Sequence, residues 1–144
     1  MKNSEPKIIS GTPQALDYID VGIQSNSGKG FPERFLLMDK KLFENAPLHI
    51  AVHIIKEPYK PLTPYTHIHC HPTCDEIGLI VAPQDELEYE FVLNGENYRV
   101  KSPATVYIPA GTHHRDTAVS GSGVYVCILL DPQGPVTENV QIVE

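Results

Sequence analysis

Two histidine-bearing stretches constrain this chain more than anything else in it. The first is Thr66-His67-Ile68-His69-Cys70-His71-Pro72-Thr73-Cys74-Asp75-Glu76, and the second is Pro109-Ala110-Gly111-Thr112-His113-His114. Five of the seven histidines lie in these two places, so imidazole is concentrated rather than scattered. Side chains alternate along a strand, so an extended 67–71 puts His67, His69 and His71 on one face. His69 and His71 then sit about 6.5–7 Å apart along the strand. Both rings can reach one ion at metal–nitrogen bonds of about 2.0–2.1 Å. Glu76 adds an oxygen after a short turn, and His114 adds a third nitrogen from another strand. A mixed imidazole and carboxylate set suits Fe, Mn, Ni, Cu or Zn better than Mg or Ca.

The rest of the chain reads as short strands between turns. Thirteen prolines and ten glycines supply the turns that a barrel of short strands needs. The pattern predicts strands near 17–24, 34–39, 48–56, 65–71, 75–82, 87–93, 97–101, 104–109 and 123–130. Asn94-Gly95 is a strong hairpin signal between two of them. Residues 1–14 read as a loose lead-in, 40–46 as one helical turn and 57–64 as a proline-rich crossover. Residues 25–30 read as a loop whose Gly28-Lys29-Gly30 lacks the spacing of a phosphate-binding loop. The tail, 132–144, is apolar enough at Val140, Ile142 and Val143 to add an edge strand or pack on a partner subunit. A chain of 144 residues is one domain, large enough for a proper core.

Taken together, His69-x-His71-x4-Glu76 and Pro109-x-Gly111-x2-His114 resemble the two motifs of the cupin superfamily, and their span covers about a third of the chain. The resemblance implies an all-β fold, an antiparallel double-stranded β-helix or jelly-roll barrel, with one divalent metal (Fe, Mn, Ni or Zn) inside. Carried over by position, the ligands are His69, His71, Glu76 and His114. Three motif glycines are replaced, by Thr63, Pro83 and Pro103, and the motif asparagine by Ala118. The resemblance further implies a homodimer and a metal-dependent enzyme acting on a small polar or anionic molecule, by dioxygenase or by isomerase and decarboxylase chemistry. A non-catalytic metal-bearing binding or sensor protein is the competing expectation, and a structural zinc site that recruits Cys74 is a third.

Strand parity places His67 and Tyr65 on the ligand face, His67 as a group able to move protons and Tyr65 as one able to orient a substrate. Arg99 is a candidate partner for a carboxylate ligand. His49 and His53, in a β-branched run, read as ordinary strand histidines, and Cys127 as a small core residue. Gly78 either leaves space beside the ion or marks a bend. The formal net charge of −7 argues against nucleic acid or an anionic membrane as partner. With no long apolar run and an odd three cysteines, the expected setting is the reducing cytoplasm.

Overall fold

In a computed structural model of the chain, residues 5–13, 32–58, 64–134 and 139–144 are described. The strands expected at 17–24 and the loop at 25–30 lie outside these residues. The described residues form β-strands and turns, with no helix long and apolar enough to cross a membrane. The strands are β1 (Thr12–Pro13), β2 (Glu33–Met38), β3 (Leu48–Ile55), β4 (His69–Cys70), β5 (Glu76–Val81) and β6 (Leu87–Leu93). They continue with β7 (Glu96–Lys101), β8 (Ala104–Ile108), β9 (His114–Gly121), β10 (Gly123–Leu130) and β11 (Gln141–Ile142).

Two antiparallel sheets face each other. One runs β1-β2-β3-β10-β5-β8 and the other β11-β4-β9-β6-β7. Residues that are near in space are thus far apart in sequence, as in a jelly roll. The all-β expectation holds. The helical turn expected at 40–46 is a series of turns held by the Asp39 carbonyl, which accepts from Leu42 and Phe43 at 3.0 and 2.9 Å.

Alternation on β3 decides which face is inside. His49, Ala51, His53 and Ile55 are buried, while Leu48, Ile50, Val52 and Ile54 keep partial exposure. The inward face is therefore the one that carries His49 and His53. Between the sheets Ile55, Ile80, Leu87, Tyr89, Phe91, Ile108, Ala118 and Tyr125 form one apolar cluster. Tyr89 and Tyr125 stack across the sheets with centroids 4.7 Å apart. Each large side chain buried in this way contributes about 1.5–3 kcal/mol. Ala118, which stands where the motif asparagine was expected, is a core residue whose N–H donates to the Tyr65 hydroxyl at 3.2 Å.

Turn chemistry fixes the register. Asn94 and Gly95 both take positive φ, as a two-residue hairpin between β6 and β7 requires. The same turn grips the chain ahead of His114: Asn94 N–H donates to the His113 carbonyl at 2.7 Å, and His113 N–H to Asn94 Oδ1 at 3.0 Å. At the step from β9 to β10, Gly121 has φ +88°, and a Cβ there would lie 1.6 Å from the Glu86 carbonyl oxygen. Gly121→Ala is therefore expected to cost at least about 2 kcal/mol in denaturant unfolding, through backbone strain and the main-chain clash. A loss under about 0.5 kcal/mol would show that the step is more yielding than this geometry allows.

Candidate metal centre

Three imidazoles converge between the sheets. β4 carries His69 and leads into His71, while β9 opens with His114, which pairs directly with His69. All three rings are buried. Their centroids form a triangle with sides of 5.2, 4.4 and 5.4 Å, and one ring nitrogen of each lies within 4.8 Å of the others.

The backbone sets their tautomers. His69 Nδ1 lies 2.8 Å from the His67 carbonyl, His71 Nδ1 2.6 Å from that of Asn139, and His114 Nδ1 2.9 Å from that of Thr112. A carbonyl only accepts, so each Nδ1 carries the hydrogen. Each neutral ring is left with a bare Nε2 lone pair, the state a metal ligand needs.

Glu76 completes the group from the opposite sheet. Its Oε1 lies 2.9 Å from His114 Nε2 and 3.3 Å from His71 Nε2. The closer pair is an ion-pair contact rather than a well-aligned hydrogen bond. They are close because they aim at the same space. The Cys127 thiol donates to the other oxygen, Oε2, at 3.0 Å, which leaves Oε1 directed at the imidazoles. Cys127 is thus a contact of the site as well as the small core residue expected from its apolar strand.

Electrostatics bind the group together. Burial works against charge on Glu76, yet the adjacent His114 overrides it and holds the carboxyl well below the usual range. Burial likewise opposes charge on His114, but Glu76 outweighs it and raises His114 to about 9. His69 is pushed down to about 4, by burial first and then by His114. The buried His69, His71 and His114 cluster can hold a metal ion. The convergent imidazole nitrogens and the Glu76 oxygen among them fit that use.

Loop contacts explain why the two motifs meet. Gly111, at φ +84°, sends its N–H to the His71 carbonyl at 2.9 Å. Asp75 accepts the Ala110 N–H at 2.8 Å and the Tyr107 hydroxyl. The tail forms an edge strand: β11 pairs with β4, and Val143 N–H donates to the Ile68 carbonyl at 3.0 Å.

Several expected placements are corrected. His67 does not point inward. Regular strand starts only at His69, so parity does not extend back to His67, which is about one-third exposed and pairs with Glu144 at 2.5 Å. Its backbone carbonyl, not its ring, serves the site. Tyr65 is buried, with its hydroxyl accepting the Ala118 N–H, and burial raises its pKa well above the ordinary range. Cys74 donates to Asn139 Oδ1 at 3.5 Å and is not among the convergent ligand atoms. Arg99 lies on exposed β7 beside Glu90, 3.6 Å away. Gly78 makes room for a side chain: a Cβ there would lie 2.3 Å from the Tyr125 hydroxyl oxygen.

The structure also brings in residues that sequence reasoning passed over. Arg34, on β2, is buried and donates from Nε to His53 Nε2 at 3.3 Å. A lone cation in the apolar run Glu33–Met38 was the available signal. Asp116 stands on β9 two residues beyond His114; burial and then repulsion from Glu76 raise it to about 6. Asp39 contacts His49 Nδ1 at 3.3 Å, both buried.

No family model matches the chain, and no curated protein matches it. Solved structures do. A Streptomyces PAC13 structure with uridine superposes with a TM-score of 0.62 at 7% identity, covering 97% of this chain and 92% of that one. Pac13 is described as a nucleoside dehydratase. KdgF from Halomonas gives 0.56 at 13% identity, over 90% of this chain and 96% of the other. An RmlC-like cupin from Shewanella frigidimarina gives 0.53 at 12%, over 92% and 96%. This chain therefore has the cupin fold.

Two outcomes follow from the geometry. Removal of residues 139–144 takes away the acceptor of the His71 Nδ1 hydrogen and unzips β11 from β4. It is expected to weaken uptake of a divalent ion about 10–100-fold in a metal titration, since partners of this kind orient ligands. Unchanged uptake would show that the tail plays no part. His53, held well below its ordinary pKa by burial and then by Arg34, is neutral when folded. Its contribution to stability is full above pH about 6.5 and is lost as pH falls, because there only the unfolded chain takes up the proton. In metal-free protein, His53→Gln should flatten the loss of stability between pH about 6.5 and 5 by up to about 1.4 kcal/mol per unit, read from urea midpoints.

Proposed function

We propose that the chain is a metal-dependent enzyme of the cupin fold that converts a small polar or anionic organic molecule. One observation carries this reading. Three buried imidazoles, each tied by Nδ1–H to a main-chain carbonyl, turn their other nitrogens toward one space, with a Glu76 oxygen 2.9 Å from His114 Nε2 and 3.3 Å from His71 Nε2. Buried ionisable groups are ordinarily paired or coordinate a metal, so three imidazoles and a carboxylate converging out of water fit a cation that all four can share.

His69, His71, His114 and Glu76 would hold one divalent ion of the Fe, Mn, Ni or Zn type. Such an ion would supply a Lewis acid for an oxygen of the substrate, or with iron a site for O₂. Four protein ligands leave one or two positions free for a small molecule. The residues of the chain do the remaining work. Glu76, pinned by Cys127, keeps one oxygen directed at the imidazoles. The apolar end of the barrel closes off bulk water. The likeness in fold to a nucleoside dehydratase adds support for a small-molecule substrate.

Elemental analysis of the purified protein beside His114→Ala and Glu76→Gln tests the reading. The expected result is about one equivalent of a transition metal in the wild type, lost from His114→Ala and weakened in Glu76→Gln, which keeps the shape of the side chain. No metal in the wild type after reconstitution would overturn the reading. The identity of a bound metal would then divide oxygen chemistry from isomerase or decarboxylase chemistry.

A further inference from the structure

A fourth inward imidazole faces the three that converge. His49 lies on β3 in the six-stranded sheet, whereas His69 and His114 belong to β4 and β9 of the other. Asp39, the residue after β2, meets His49 Nδ1 with its Oδ2 at 3.3 Å, and both residues are buried. The other carboxylate oxygen, Oδ1, accepts the Lys41 N–H at 3.0 Å, so the backbone holds the carboxylate in place. A carboxylate accepts, so Nδ1 carries the hydrogen and Nε2 of the neutral ring keeps its lone pair. Burial lowers the pKa of His49 more than Asp39 raises it, which leaves the ring neutral and able to take a proton.

Register gives the direction of Nε2. β2 pairs with one edge of β3 and β10 with the other. The two nitrogens of an imidazole face nearly opposite sides of the ring, so a ring held at Nδ1 from the β2 side turns Nε2 toward β10 and β5. There His49 pairs with Leu129, and Leu129 with Glu76, in one inward row. His49 and Glu76 are two strand spacings apart, roughly 10 Å between backbones. Leu129, between them, packs on Cys74 and offers no polar atom. The charges of His71 and Glu76 both act on His49, as this placement requires. His53, the next histidine on the same face of β3, differs. Its Nε2 accepts from Arg34 at 3.3 Å, its ring meets Tyr125 edge-on at 5.3 Å, and register sets these three in one row. His53 has spent its acceptor nitrogen, whereas the contact of His49 with Asp39 uses only Nδ1.

We propose that His49, backed by Asp39, is the acid–base residue for a molecule held at the cluster of His69, His71, His114 and Glu76. Its Nε2 takes the hydrogen of a substrate O–H directed at the cluster, or of the C–H beside that oxygen. The electron pair of the broken bond stays with the substrate, the Nδ1 hydrogen stays on the ring, and the Asp39 carboxylate offsets the charge of the imidazolium. The same nitrogen returns the proton later in the reaction. The proposal deepens the enzyme reading and rests on it.

The test counts protons. Acetohydroxamic acid gives up its O–H proton on chelating a metal, whereas azide binds as an anion with none to lose. Both are titrated calorimetrically into cobalt-loaded wild type, His49→Gln and Asp39→Asn, in buffers of different ionisation enthalpy. Metal content and circular dichroism are read on the same samples. Wild type is expected to release under about half a proton per hydroxamate to the buffer, and His49→Gln about one, because the ring that captured it is gone. Asp39→Asn should fall between the two. Azide affinity and metal content should stay within about twofold in His49→Gln. Equal proton counts in metal-loaded wild type and His49→Gln overturn the assignment and leave the metal reading standing. Release of about one proton by wild type does the same. Loss of cobalt from His49→Gln, or azide binding weakened as much as hydroxamate binding, overturns it too, since His49 then serves only structure. Wild type that takes up no cobalt overturns the enzyme reading, and this proposal with it. If His49→Gln does not fold, Asp39→Asn decides, because it leaves the ring in place: a raised count upholds the proposal and an unchanged one overturns it.

Discussion

The bond between each ligand-type histidine and a main-chain carbonyl is the interaction on which the site depends. An imidazole whose Nδ1–H is held by a carbonyl has a fixed orientation and a fixed tautomer. The three carbonyls come from His67, Asn139 and Thr112, which lie on three separate segments. The site is therefore sensitive to the backbone of the turn before β9, the approach to β4 and the tail. It is less sensitive to the side chains at those places. His67 illustrates this: its ring faces out to Glu144 while its carbonyl serves His69.

The inner face of the six-stranded sheet is graded. Ile55 and Ile80 pack toward one end with aromatic side chains of the other sheet, while His49 and Glu76 lie toward the other, with Ile108 paired beside Glu76. Tyr125 joins the two: its ring packs in the apolar end and its hydroxyl reaches past Gly78. A side chain at position 78 would occupy the volume of that hydroxyl. The gradation follows from the chemistry of the residues. Aliphatic and aromatic packing excludes water at one end, and buried charge at the other is tolerable only where partners or a ligand compensate it.

A strand-rich barrel with a histidine–carboxylate cluster was legible from the sequence, because alternation and turn residues are local signals. Asn94-Gly95 marked its hairpin, Gly111 its positive-φ turn, and the spacing of His69, His71, Glu76 and His114 marked four residues that do come together. The roles of Arg34, Asp116 and Cys127 were not legible. Each depends on which face of its strand turns inward, and the local sequence of the strand does not reveal this. Parity also failed for His67, because the regular strand that would carry parity is only two residues long.

What the sequence by itself determined was a set of strands, their turns and the donor atoms available to an ion, since these follow from backbone preferences and side-chain chemistry within a few residues. Tertiary structure alone decided which histidine ring faces in, which carbonyl holds it, and that Arg34, His53 and Tyr125 form one row. Those relations join β2, β3, β4, β9, β10 and the tail across long stretches of chain. Register and packing between strands fix them, and no local pattern encodes either.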